Sequence, residues 1–151
     1  MIQRIQSIFL FLAATLMLTA SAFNIWEGQS ATGCFTSVNS IQILSECNEL
    51  DNVKNIFYLL AIQVVFAILV LFSLFSYKNR KRQIILGGIN SLIGSIFLIL
   101  TFFITKEVSQ SNDGNYHIGF FLPLAAIFLN ILANRFIKKD DKLVRSLDRI
   151  R

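Results

Sequence analysis

The sequence predicts an all-α membrane protein: a four-transmembrane-helix antiparallel bundle with a disulfide-stapled outer loop and a cytoplasmic amphipathic C-terminal tail. Three observations predict it. Four apolar blocks reach spanning length, nearly all basic residues fall on one side of those blocks, and both cysteines fall in one connecting segment on the other side.

The blocks run over about 5–26, 56–77, 84–105 and 118–137. At 1.5 Å per residue each extends roughly 30–33 Å, the thickness of a bilayer's hydrocarbon core. None contains Asp, Glu, Lys or His, and Arg135 lies near the end of the fourth, where its stem can snorkel to the headgroups. A helix at the surface of a soluble core keeps one polar face, whereas a helix in lipid can be apolar all round. The composition agrees: 54% of residues are hydrophobic and only 15% charged, against about 25% charged in soluble domains. In lipid the backbone must satisfy its own hydrogen bonds, which makes helices the natural spanning element.

The first block has a competing reading. Arg4, the apolar stretch 8–18 and Ala20-Ser21-Ala22 fit the three regions of a signal peptide, with cleavage after Ala22. The apolar run continues through Phe23, Ile25 and Trp26, however, and Trp suits an interfacial anchor. A retained first span is the expectation.

Charge sets the orientation. Arg4, the group Lys78, Arg80, Lys81 and Arg82, and the group from Arg135 to Arg151 hold twelve of the 14 basic residues. Lys54 and Lys106 are left on the other side, among six acidic residues. The positive-inside rule places the basic side, and with four spans both termini, in the cytoplasm. The short stretch 78–83 reads as a tight basic turn between antiparallel neighbours. The stretch 106–117 reads as a plain turn, rich in Ser, Asn, Asp and Gly. The first outer loop, 27–55, is the one long enough to fold on its own.

Cys34 and Cys47 lie in that loop, where an oxidising environment makes a disulfide the default. Phe35, Val38, Ile41, Ile43 and Leu44 alternate loosely with polar residues between them, which allows a short hairpin. The spacing is not C-x-x-C, so a staple is favoured over redox chemistry. Two cysteines and a distant His117 make no metal site, and the sequence implies no cofactor.

Within the spans, Gly87, Ser91 and Ser95 recur every four residues. Together with Asn90 and Gly94 they read as a helix-packing stripe. Gln63, Asn130 and Asn134 add amides able to bond between helices. Ionisable groups at depth, which proton pumps and ion-coupled carriers need, are missing from all four blocks. Pro123 sits in the first turns of the last block, where a missing N–H is tolerated best.

The tail, 138–151, is basic and amphipathic. Leu143, Val144, Leu147 and Ile150 share one helical face, and Asp141 can pair with Arg145 and Asp148 with Arg151. With Arg149 these residues are candidates to contact anionic lipids of the inner leaflet, or another membrane or cytoplasmic protein. Nucleic acid is not an expected partner, because no recognition motif accompanies the basic residues.

The opening Met1-Ile2-Gln3-Arg4-Ile5-Gln6 and the closing 143–151 resemble a domain-of-unknown-function family of small four-span membrane proteins found mainly in Bacteroidetes-type bacteria. Phe121-Leu122-Pro123-Leu124 and Ala133-Asn134-Arg135 fit it too. That resemblance implies topology and a bacterial inner membrane, and no activity. Trp26 followed by two cysteines in the first outer loop is similar, in layout alone, to claudin-type proteins; this chain lacks their Gly-Leu-Trp run, and no adhesive role is implied. The functional expectation is a non-enzymatic accessory or scaffold subunit of the cytoplasmic membrane. The alternatives are a small oligomeric carrier or channel, and a membrane redox protein using the cysteine pair.

Overall fold

The computed structural model describes residues 2–30, 33–46, 52–76, 79–110 and 112–148, with the side chains of 2–4, 52, 112 and 145–148 excepted. Among the described residues the fold has four α-helices and five strands: α1 (Ile2–Thr19), β1 (Trp26–Ser30), β2 (Phe35–Val38), β3 (Gln42–Glu46), β4 (Asn52–Asn55), α2 (Phe57–Phe75), α3 (Arg80–Ser109), β5 (Asn112–Tyr116) and α4 (Ile118–Asp148). The all-α expectation is therefore wrong. The strands form one antiparallel sheet in the order β4-β3-β2-β1-β5, which roofs one end of the helices.

All four helices are long and apolar enough to cross a membrane. Each packs on its neighbours in a closed ring, α1 on α2, α2 on α3, α3 on α4 and α4 on α1. Buried positions on α3 recur at Gly87, Asn90, Gly94, Phe97 and Thr101, the three-and-four spacing of one helical face. Gly94 is needed for close approach: a Cβ there would lie 2.6 Å from Ile127 on α4 and 3.1 Å from Phe66 on α2. On the other faces Phe72, Ile85, Leu92, Phe103 and Phe128 are exposed, as expected of helices apolar all round.

The sheet corrects the sequence reading at three places. First, α1 ends at Thr19, a single 3-10 turn follows over Ala20–Ala22, and Trp26 opens β1. Trp26 is only 2% exposed, so it is a core residue of the sheet and not an interfacial anchor at a helix end. Second, the outer loop 27–55 is mostly strand. A β2–β3 hairpin is present, with Val38 opposite Ile43 and Phe35 opposite Glu46. Asn39 makes its turn, its Oδ1 accepting from the backbone N–H of Ile41 and of Gln42. Third, the supposed plain turn 106–117 splits: α3 continues to Ser109 and Asn112–Tyr116 becomes β5, paired along its length with β1.

That last pairing depends on glycine. Gly28 of β1 stands opposite Gly114 of β5, and the Trp26 indole folds across both. A Cβ on Gly114 would lie 2.5 Å from Trp26 Cζ2 and equally close to the backbone of Gly28. Tyr116, at the end of β5, shares a 3.0 Å hydrogen bond with the Thr105 hydroxyl and lies against Phe120. Backbone bonds then stitch sheet to bundle. The N–H groups of Ile25, Ile56 and His117 donate to the carbonyls of Val38, Ile41 and Ile25. Under this seam Ile25, Trp26, Val38, Ile56 and Leu59 form the upper end of the core.

Candidate functional site

Three regions hold chemistry, and they lie at different levels of the bundle. The deepest is a layer of buried amides. Asn130 on α4 donates through Nδ2 to the Gly87 carbonyl and to the Ser91 hydroxyl, both at 2.9 Å. Ser91 itself donates to Gly87 O at 3.0 Å, and Asn134 donates to Ile84 O at 3.3 Å. These bonds fasten α4 to the first half of α3. A Cβ on Gly87 would lie 3.0 Å from the Asn134 amide, so the glycine makes room for it. Ser95, the third member of the four-residue stripe, is exposed and bonds back to Ser91 O within its own helix. The buried face of α3 turns away from it, through Asn90 and Gly94 instead.

Gln63 on α2 and Asn90 on α3 are fully buried, and neither amide has a hydrogen-bond partner among the described residues. Bare amides at such depth cost stability unless something bonds them.

The second region was not foreseen from the sequence. A cleft of about 440 Å³ opens between the sheet and the adjoining ends of α2 and α3. Thr36, Ile43 and Ser45 form its roof, Val53 and Lys54 of β4 one lip, and Tyr58, Ile104 and Glu107 its floor. Its volume suits a small ligand or part of a larger one. Thr36 and Ser45 share a 3.3 Å hydroxyl pair across the β2–β3 register. Lys54, Tyr58 and Glu107 are exposed and make no side-chain hydrogen bond or ion pair among the described residues. These residues are scattered over three elements, so no local motif marks them. The cleft exists because loop 27–55 folds into a sheet and lies over the helix ends.

On the β1–β5 side of the sheet, His117 Nε2 lies 3.4 Å from Glu27 Oε2, and Glu27 Oε1 accepts from Asn24 at 2.7 Å. This small cluster joins β1 to the start of α4. No cysteine among the described residues is free. Cys34 sits just before β2, and its expected partner, Cys47, lies outside the described residues.

The third region is the far end of the bundle. The expected separate tail is a direct continuation of α4, which extends unbroken from Ile118 to Asp148, about 46 Å of helix. Arg80 at the start of α3 holds this extension, reaching Asp140 Oδ2 at 3.2 Å and the Asp140 carbonyl at 3.2 Å. Leu143 and Val144 are 47% and 40% exposed. The side chains of Arg145, Leu147 and Asp148 lie outside the described residues, as do Arg149, Ile150 and Arg151 altogether. Lys81 and Arg82 belong to the first turn of α3 rather than to a loop. With Lys138, Lys139 and Lys142 they make this end basic, opposite the sheet.

Residues 2–150 match a family model described as a domain of unknown function, DUF4293. The chain belongs to this family. No match to a curated protein accompanies it. Membership of DUF4293 thus covers the sheet, the amide layer and the α4 extension together, and it assigns no chemistry to any of them. Among the described residues no group of three or more His, Cys, Asp or Glu is placed to hold a metal ion.

Proposed function

We propose that this DUF4293 chain is a non-enzymatic accessory or scaffold protein of a bacterial cytoplasmic membrane, with both ends in the cytoplasm and the α4 extension as its contact to a partner protein. The observation that carries this reading is the unbroken α4. A hydrocarbon core uses about 20 residues of it, which leaves roughly ten residues beyond the span, about 15 Å of basic helix. The extension is continuous with its span and tied down by Arg80. A tail that leaves the span as a separate segment needs a break where the span ends, and α4 runs through that point as one helix.

A rooted, basic helix with Leu143 and Val144 on its surface suits an acidic, apolar-grooved protein partner of the helix-in-groove kind. The closed ring below it supplies rigidity, and the sheet anchors the opposite end. The disulfide expected between Cys34 and Cys47 would stiffen that end further, as a staple.

Capture from membranes in mild detergent tests this reading. We expect a near-stoichiometric protein to accompany the tagged full-length chain. The double substitution Leu143→Asp with Val144→Asp should lower its recovery about tenfold or more, the equivalent of at least 1.4 kcal/mol. The monomer's melting temperature should be unchanged. The same protein set with and without the substitutions, or a partner-free oligomer, would contradict the proposal.

A further inference from the structure

The cleft beneath the sheet does not stand alone. Further along the same α2–α3 seam, one to two helical turns away on α2 and two to four on α3, lies a purely apolar groove of about 280 Å³, lined by Ala61, Ile62, Val65, Ile93 and Ile96. On α2, Tyr58, Ile62 and Val65 fall at i, i+4 and i+7. On α3, Ile96, Ile104 and Glu107 fall at i, i+8 and i+11. Both series are single helix faces, so cleft and groove share one side of the helix pair. Glu107 to Ile96 spans about 16 Å along the axis, close to half of a hydrocarbon core of about 30 Å.

The two sites differ in chemistry in the way the two ends of a phospholipid do. The cleft offers a cation on Lys54, an anion on Glu107 and a hydroxyl on Tyr58, none of them satisfied by the described protein residues. The groove offers no polar surface. A single-sign headgroup would leave one of the two charges facing its own kind or unpaired. A headgroup with both a phosphate and a primary ammonium pairs both. A choline headgroup carries the same charges but has no N–H to donate to Glu107.

We infer that the cleft and groove together bind one membrane phospholipid of the ethanolamine class from the leaflet on the sheet side. Lys54 meets the phosphate, Glu107 meets the ammonium, and one acyl chain lies between α2 and α3. This site is separate from the α4 extension and does not depend on the partner proposed for it.

The test is lipid retention by the full-length protein, read by native mass spectrometry after exchange into detergent containing equal amounts of phosphatidylethanolamine, phosphatidylcholine and phosphatidylglycerol. The ethanolamine lipid should be retained about tenfold over each of the others. Glu107→Gln should reduce it to the level of phosphatidylcholine. Lys54→Ala should lower both zwitterionic lipids, and Ala61→Trp, which fills the groove, should lower all three. Lys81→Ala, at the opposite end, should change nothing. These side chains are exposed, and an unchanged melting temperature verifies that each variant is folded. Equal or greater retention of phosphatidylglycerol, an undiminished ethanolamine preference in Glu107→Gln, or equally tight binding of soluble glycerophosphoethanolamine would overturn the inference.

Discussion

Replacing Gly114 with valine should detach β5 from the sheet and destabilise the protein by about 3 kcal/mol, the upper end of ordinary overpacking costs. The reason is local and backbone-based. A Cβ at this position meets the Glu27 carbonyl, the Gly28 Cα and the Trp26 ring at once. Two of those three are main-chain atoms in a paired strand, so no side-chain rotation relieves the contact. The strand must move, and with it the Tyr116–Thr105 bond and the position of His117 beside Glu27. Denaturant unfolding in detergent measures the loss, and limited proteolysis around residues 110–116 should show a new cut. Gly88 is the matched control: a Cβ there meets nothing within 4 Å, and Gly88→Ala should be neutral or slightly stabilising in its helix.

Trp26→Ala should cost about 3–5 kcal/mol, the usual range for deleting a buried large aromatic. The indole is 2% exposed, opposite Val38 on one side and Tyr116 on the other. It joins the part of the sheet drawn from the α1–α2 connection to the strand drawn from the α3–α4 connection. Trp26→Phe should recover part of the loss by filling part of the volume. An interfacial Trp at a helix end predicts a different result, a change well under 1 kcal/mol, as for ordinary surface substitutions. Thermal unfolding of the two variants therefore distinguishes a core residue of the sheet from the interfacial anchor that the sequence suggests.

The helices were legible for a direct reason. Their signal is a run of apolar residues as long as a bilayer is thick, and no competing reading of 57–75 or 84–105 produces the same run. Only their ends shifted. The basic group Arg80–Arg82 extends α3 backwards by one turn, and α1 stops before Phe23 because the chain must turn into β1. The strands were mostly illegible. β1 reads Trp-Glu-Gly-Gln-Ser and β5 reads Asn-Asp-Gly-Asn-Tyr, neither with apolar alternation and both with residues depleted in strands. What makes them strands is each other: backbone pairing at a fixed register, with two opposed glycines leaving space for one indole. That signal lies some 90 residues apart in the chain, beyond the reach of any local pattern. The β2–β3 hairpin was partly legible through Val38, Ile43 and Leu44.

The candidate sites divide in the same way. Gly87, Asn90 and Gly94 were identifiable as small or amide residues in an apolar helix, and they lie on the buried face of α3. Ser95 continues the four-residue spacing of Gly87 and Ser91 but is exposed, because a spacing of four drifts around a helix of 3.6 residues per turn. The tail's continuity with α4 was not visible in sequence, since no sequence signal distinguishes a continuing helix from one that restarts. The cleft was invisible because it belongs to the sheet. Lys54 and Glu107 are 53 residues apart and acquire a common role through the fold alone.

The proposed partner contact and lipid site require the sheet and the α4 extension to lie on opposite sides of a membrane. Site-directed labelling tests this most directly. A cysteine is placed at the exposed Gln29 of β1 in one variant and at the exposed Lys142 of α4 in another. Each is treated in intact cells with a membrane-impermeant thiol reagent, before and after permeabilisation. Gln29→Cys should be labelled in intact cells and Lys142→Cys only after permeabilisation. Labelling of Lys142→Cys in intact cells, or of both positions alike, would contradict that arrangement.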